Sequence, residues 1–247
     1  MTFKTNFKKK LSGFTLAEVL ITLGIIGIVA AMTLPTLVVN YQKEQTVIRL
    51  KRAYTILSQA VDRTKADYGD VSDWNLESLS GGYNHREVVE KFVKLYVVPY
   101  LAKVKEVKYT NFSEFGYRNI KNLDGSSANM IFREGAFVVL SDSSIFRMSM
   151  DTHDFGTEDK PDHRITNVLF TVDINGLKNP NVIGKDIFIF VLPTSSGTKS
   201  KLDFYHYYEN PTRETVMTFC KIGGYEGRHC GRLIMMDGWQ ISDDYPW

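Results

Sequence analysis

Asp173, Asn175 and Asp186 are the side chains best placed in this sequence to hold a hard cation. They stand in Val172-Asp173-Ile174-Asn175-Gly176, followed by Lys178-Asn179-Pro180-Asn181 and Gly184-Lys185-Asp186. A turn with alternating side-chain oxygens can surround calcium, although the glutamate that closes an EF-hand is missing. The same Asn, Asp and Gly residues make turns without any metal, so a calcium loop and a structural turn both stand. A second group runs from Asp151 through His153, Asp154, Glu158 and Asp159 to Asp162 and His163. Its spacing fits no helical ligand pair, and it reads as a solvated loop. Cys220 and Cys230 would close a short disulfide loop in an oxidising compartment; two reduced, buried thiols are the other reading.

Catalytic patterns are lacking. No serine lies in Gly-x-Ser-x-Gly, the five histidines are scattered, and no phosphate-binding glycine pattern occurs. The adjacent Asp243 and Asp244 lie in a turn-like tail. The formal charge is +2, but four of the 30 basic residues fall within residues 1–13, which contain no acid. Without that segment 26 basic residues face 28 acidic ones, net −2. Nothing in this balance suggests a strongly basic nucleic-acid binder.

Glu18 is the remaining chemical oddity, because of where it sits. Lys8, Lys9 and Lys10 precede an apolar run, and from Val19 to Gln42 no residue is charged. Phe14 to Leu34 in helix would cover about 30 Å, the thickness of a bilayer core. A conventional signal peptide has a shorter apolar core and a small-residue cleavage site, for which Val29-Ala30-Ala31 could serve. The alternative is a helix retained in the membrane, with the lysines on the cytoplasmic side. An acid within it costs about 2.5–3.5 kcal/mol on insertion scales and calls for a partner. If the chain were cut after Gly13, the new α-amino group of Phe14 would be the nearest cation besides the lysines. Glu18 cannot easily reach that group in its own helix, but it can in a neighbouring copy.

These groups need positioning elements. Gly24, Gly27, Ala30 and Ala31 recur at helical spacing and would let helices approach closely, while Pro35 removes one helical hydrogen bond and should kink or loosen the helix. Val47, Leu50, Tyr54, Leu57 and Val61 then form an apolar stripe between charged residues, so the helix continues with one face packed. Tyr68-Gly69-Asp70 ends it. Val71–Gly82 is loop-like, with Trp74 and Leu76 as anchors, and His85–Ala102 predicts a second helix whose last turn Pro99 interrupts. Beyond it the period changes to two. Strands are expected at Glu106–Thr110, Asn129–Phe132, Ala136–Leu140, Ser144–Met150, Asn167–Val172, Asp186–Leu192 and Leu202–Tyr207. Arg133-Glu134-Gly135 and Ser141-Asp142-Ser143 look like hairpin turns. The fold class is α+β, a long N-terminal helix on a mostly antiparallel sheet.

Gly13-Phe14-Thr15-Leu16-Ala17-Glu18-Val19-Leu20-Ile21 resembles the prepilin peptidase site of type IV pilins and type II secretion pseudopilins. The resemblance covers about 30 residues, basic leader included. It implies cleavage between Gly13 and Phe14, N-methylation of Phe14, subunit docking through Glu18 and a helix-bending role for Pro35. It also implies a pilin-like fold with a leader at 1–13, a transmembrane and assembly helix at 14–39, its amphipathic continuation at 40–68 and a head at 69–247. The implied partners are other pilin or pseudopilin subunits, the prepilin peptidase and methyltransferase, an inner-membrane assembly platform and membrane lipid. Some major pseudopilins bind calcium in a late loop, a likeness to the region around Asp173 rather than to its ligands one by one. The ending Cys230-Gly231 through Trp239, with Asp244-Tyr245-Pro246-Trp247, is similar to the tails of pseudopilin-like proteins. A pilus, secretion or competence subunit would all fit.

Overall fold

The computed structural model describes residues 13–74, 76, 85–128, 134–154, 163–194, 200–205, 210–221 and 227–247. The chain divides into two units, Met1–Lys43 and Glu44–Trp247. Helix α1, Leu16–Tyr68, runs through both and is assigned as helix across Pro35. In the first unit its large apolar side chains are exposed, from Leu16 and Leu20 to Leu37 and Val39. In the second, the expected stripe is buried: Leu50, Leu57 and Val61 are covered, and Ala53, Ala60 and Thr64 extend the seam. Gly69 then stops the helix, its N–H closing on the Lys65 carbonyl at 2.9 Å with φ +82°, a conformation that suits glycine.

α1 packs on a sheet of six antiparallel strands in the order β1-β2-β3-β4-β5-β6. The strands are β1 Val104–Asn111, β2 Glu134–Leu140, β3 Ile145–Asp154, β4 His163–Asp173, β5 Ile187–Pro193 and β6 Asp203–Phe204. Strand alternation sorts the core. Phe146, Met148, Val168, Phe170, Phe188 and Phe190 share one cluster with the α1 seam. Phe137, Ile145, Ile187 and Ile189 face the other way, against Phe112, Tyr117 and Ile120. Tyr54 pins helix to sheet, its ring lying 5.9 Å from Phe204, 6.0 Å from Phe190 and 5.5 Å from Trp239. Trp74 and Leu76 are buried anchors, as expected.

Several boundaries differ from the sequence reading. Glu134 and Gly135 lie inside β2 rather than in a turn. A Cβ on Gly135 would meet the Met148 carbonyl oxygen at 2.5 Å and Arg147 Nε at 2.8 Å, so this glycine serves close strand approach. Ser141–Ser143 does turn the chain, with Ser143 at φ +71°. The helix expected at His85–Ala102 is α2, His85–Phe92, followed by a π turn over Val93–Val97 and a 3₁₀ turn over Val98–Tyr100. Pro99 has no N–H to give and its ring crowds the preceding turn, and the widened winding leaves the Tyr96 carbonyl to accept from Thr64 Oγ1 of α1 at 2.7 Å. Asp151 to Asp154 and His163 belong to β3 and β4 rather than to a loop. The last expected strand shrinks to Asp203–Phe204; Asn129–Phe132 and residues 206–207 lie outside the described residues.

Among the described residues three α-helices were not foreseen: α3 Phe112–Phe115, α4 Arg213–Lys221 and α5 Cys230–Met236. The last two are joined by the Cys220–Cys230 disulfide. Arg213 at the start of α4 meets Asp237 just after α5, with Nε to Oδ1 at 2.6 Å and Nη2 to Oδ2 at 2.8 Å. It also meets Asp244 of the tail, with Nη1 to Oδ2 and Nη2 to Oδ1 both at 2.9 Å. Such forked contacts fix orientation as well as charge. Replacing both cysteines with alanine should lower the stability of the head by about 2–3 kcal/mol, from the entropy of closing so short a loop. Thermal melts of the full chain with and without the bond measure it.

Candidate functional site

The N-terminal motif begins in an exposed position. Phe14 is 89% exposed, so the Gly13–Phe14 bond is not shielded by the chain's own fold. Thr15 then starts the helix. Its backbone N–H and its hydroxyl both donate to Glu18 Oε2 at 2.8 Å, and the Glu18 N–H donates back to Thr15 Oγ1 at 3.3 Å. This is a capping box, in which a threonine and a glutamate three residues on satisfy each other's loose helix-end groups. Glu18 therefore has a partner within its own chain, one the sequence reading missed although Thr-x-x-Glu was legible as a cap. Among the described residues only Oε2 is engaged, so the other carboxylate oxygen, Oε1, is open to a further donor.

Along the helix two hydroxyls are satisfied internally. Thr22 donates to the Val19 carbonyl at 3.0 Å and Thr33 to the Val29 carbonyl at 3.0 Å, as a backbone in hydrocarbon requires. No residue of the most apolar stretch is buried within the chain. A Cβ added at Gly24 or Gly27 would meet nothing within 4 Å, so those surfaces stay open to other molecules. This helix fits a single-pass membrane anchor.

The second candidate is the turn between β4 and β5. The structure brings Asp173, Asn175 and Asp186 together as expected. Asp173 accepts from the Tyr117 hydroxyl at 2.7 Å through Oδ2 and from the Asn175 N–H at 3.0 Å through Oδ1. Asp186 accepts from the Val182 N–H at 2.6 Å through Oδ1, and from the Asn181 N–H at 2.9 Å and Asn175 Nδ2 at 3.2 Å through Oδ2. Every carboxylate oxygen of the pair thus holds at least one donor. The oxygens left for a cation are Asn175 Oδ1 and Asn181 Oδ1, which are buried without a hydrogen-bond partner. Among the described residues no three His, Cys, Asp or Glu side chains gather in a metal-binding group.

Electrostatics follow from burial. Loss of solvent pushes the Asp173 carboxyl up to about 8; its hydrogen bond from Tyr117 opposes the rise, and the neighbouring charge of Asp186 adds to it. Burial raises Asp186 as well, against the three donors that favour its charge. Tyr117 is driven far above its ordinary value by burial and by Asp173. Tyr117 was not among the residues singled out from sequence; nothing local marks it, since it reaches Asp173 from 56 positions away.

Comparison with known proteins gives two matches, which meet near Pro35. Residues 8–34 match the model described as Prokaryotic N-terminal methylation motif. Residues 36–247 match the model described as Family of unknown function (DUF6613). No curated protein and no solved structure matches. The motif supports the resemblance to type IV pilins and pseudopilins.

A carboxyl raised in the folded state stabilises most when both states are protonated. Asp173 therefore contributes fully below about pH 4, and its contribution falls as pH rises toward about 8. Asp173→Asn, which mimics the neutral acid, should flatten this decline in melts taken from pH 4 to 9 and gain on wild type as pH increases. An unchanged slope would show that the carboxyl is charged throughout.

Proposed function

The chain belongs to the family of unknown function DUF6613, and from that premise we propose that it is a non-enzymatic filament subunit of the pilin or pseudopilin kind. The observation that carries this reading is the N-terminal segment itself. A methylation motif opens onto a helix whose apolar surface none of the described residues covers, with one acid, Glu18, at its start. A soluble protein would bury such a surface, and a disposable signal has no use for that acid.

In this reading the chain enters the inner membrane with Lys8–Lys10 in the cytoplasm and the head outside. Prepilin peptidase cuts after Gly13, and Phe14 is methylated on its amine. An assembly platform then draws the helix into a fibre, where Glu18 Oε1 accepts the Phe14 amine of an adjacent copy while Oε2 keeps its cap. Close packing at Gly24, Gly27 and Ala30 would bring neighbouring helices together, and Pro35 would give the rod its bend. No nucleic acid enters this scheme. The mature N-terminus tests it: mass spectrometry should find N-methyl-Phe14. A start at Met32 would instead mean a conventional signal and an exported head, and a start at Met1 a tether that does not polymerise.

For the turn between β4 and β5 we propose a hydrogen-bonded structure in place of the calcium loop. The support is that Asp173 and Asp186 already hold donors on all their oxygens. Millimolar calcium and a chelator should give the same melting temperature. A saturable rise with calcium would instead assign the metal to Asn175, Asn181 and their acid neighbours.

Two variants separate the roles of Glu18. Thr15→Ala removes the capping box at a cost of roughly 1 kcal/mol and should leave fibres in near-normal amount. Glu18→Ala should still insert in the membrane, yet lose incorporation on the order of a hundredfold, the scale set by an uncompensated buried charge. Counting fibres beside membrane fractions distinguishes the two. Equal defects would reduce Glu18 to a cap.

A further inference from the structure

A small cleft opens where the chain enters the head, at the end of the sheet that carries the β2–β3 turn and the β4–β5 turn. It has a volume of about 160 Å³ and is lined by Arg49, Arg52, Asp142, Ser144, Asn175 and Lys178 among others. Its one acid is already spoken for. Asp142 Oδ1 accepts from the Ser144 N–H at 3.0 Å and from its hydroxyl at 2.6 Å, and Oδ2 pairs with Arg52 Nη2 at 3.1 Å. Arg49 and Lys178 have no acidic partner among the described residues. The cleft therefore presents two uncompensated cations beside a third, fixed guanidinium.

Position selects the ligand. Arg49 follows Val39, where the membrane segment ends, by ten residues, about 15 Å along helix α1. Basic residues beside a spanning helix attract anionic lipid surfaces. Arginine and lysine together suit a phosphate, which takes forked and point-charge donors alike.

We propose that this cleft binds the phosphate of an anionic lipid headgroup, holding the head on the membrane surface before assembly. The inference rests on the membrane-anchored reading above. An acidic side chain of a neighbouring copy would satisfy the same charges, but it lacks the proximity that the short helical tether gives to the lipid.

The test is native mass spectrometry of the full chain released from micelles holding equal phosphatidylglycerol and phosphatidylcholine. Wild type should retain phosphatidylglycerol preferentially. R49Q/K178Q should bind it on the order of thirtyfold more weakly, the effect of two surface charges, while the charge-matched K105Q/K108Q on β1 keeps the preference. Equal retention by wild type and R49Q/K178Q overturns the proposal. Displacement of the lipid by free glycerol phosphate assigns the cleft to a soluble anion and overturns the lipid source. Lost fibres with unchanged lipid retention overturn it in favour of an acidic neighbour. A chain that leaves the membrane fraction in an alkaline wash would sink the anchored reading itself, whereas an anchored chain without lipid preference sinks only this inference.

Discussion

One helix has to satisfy two solvents, and the rest of the molecule is arranged around that demand. Between Leu16 and Val39 the large side chains of α1 find no cover among the described residues. From Leu50 to Thr64 the seam is closed against the sheet. In water the first segment would be a severe aggregation hazard; in a bilayer it is merely matched to its surroundings. The second segment is what makes the head a fold, because a six-stranded meander with Phe146, Phe170 and Phe190 on one face needs an apolar layer there. Tyr54, Thr46 and Thr64 fix how that layer sits, by ring contacts and by hydrogen bonds to the Lys185 and Tyr96 carbonyls.

What could be read from sequence was what periodicity encodes. The stripe from Val47 to Val61 and the alternating strands around Phe137, Phe146 and Phe170 each declare a buried face within a few residues. The missed elements depend on distant partners. α4 and α5 are short and are set by the Cys220–Cys230 bond and by Arg213 holding Asp237 and Asp244. Asp244 looked like an ordinary tail residue because its partner is 31 positions away. Gly135 read as a turn because glycine is commoner there; its actual reason, the approach of Met148 and Arg147, is invisible without the neighbouring strand.

The candidate site divides in the same way. Gly13, Phe14 and Glu18 stand out in the sequence because they lie in one contiguous motif. The Asp173 turn was legible as a gathering of oxygens but not as a balance of charge. Its two acids lie close together in a poorly solvated place, and such a pair resists double ionisation unless donors or a cation intervene. The backbone N–H groups of Asn175, Asn181 and Val182 and the Tyr117 hydroxyl favour the charged forms, yet burial still leaves the Asp173 carboxyl raised. None of them could be assigned before the turn and Tyr117 were placed.

The docking proposed for Glu18 would ask one residue to serve both folding and assembly, and its geometry sets the two in no conflict. A helix that ends in or near hydrocarbon has loose N–H groups at its start, and these cannot turn to water. The Thr15–Glu18 box answers that need within one chain and in doing so holds the carboxylate at the N-terminal end of the rod. The same contact uses one oxygen and leaves the other unfilled. A carboxylate so held loses little further freedom on meeting a neighbouring amine, which lowers the entropic cost of ordering it. The cap in the single chain and the docking proposed between chains are then successive uses of one pre-oriented group.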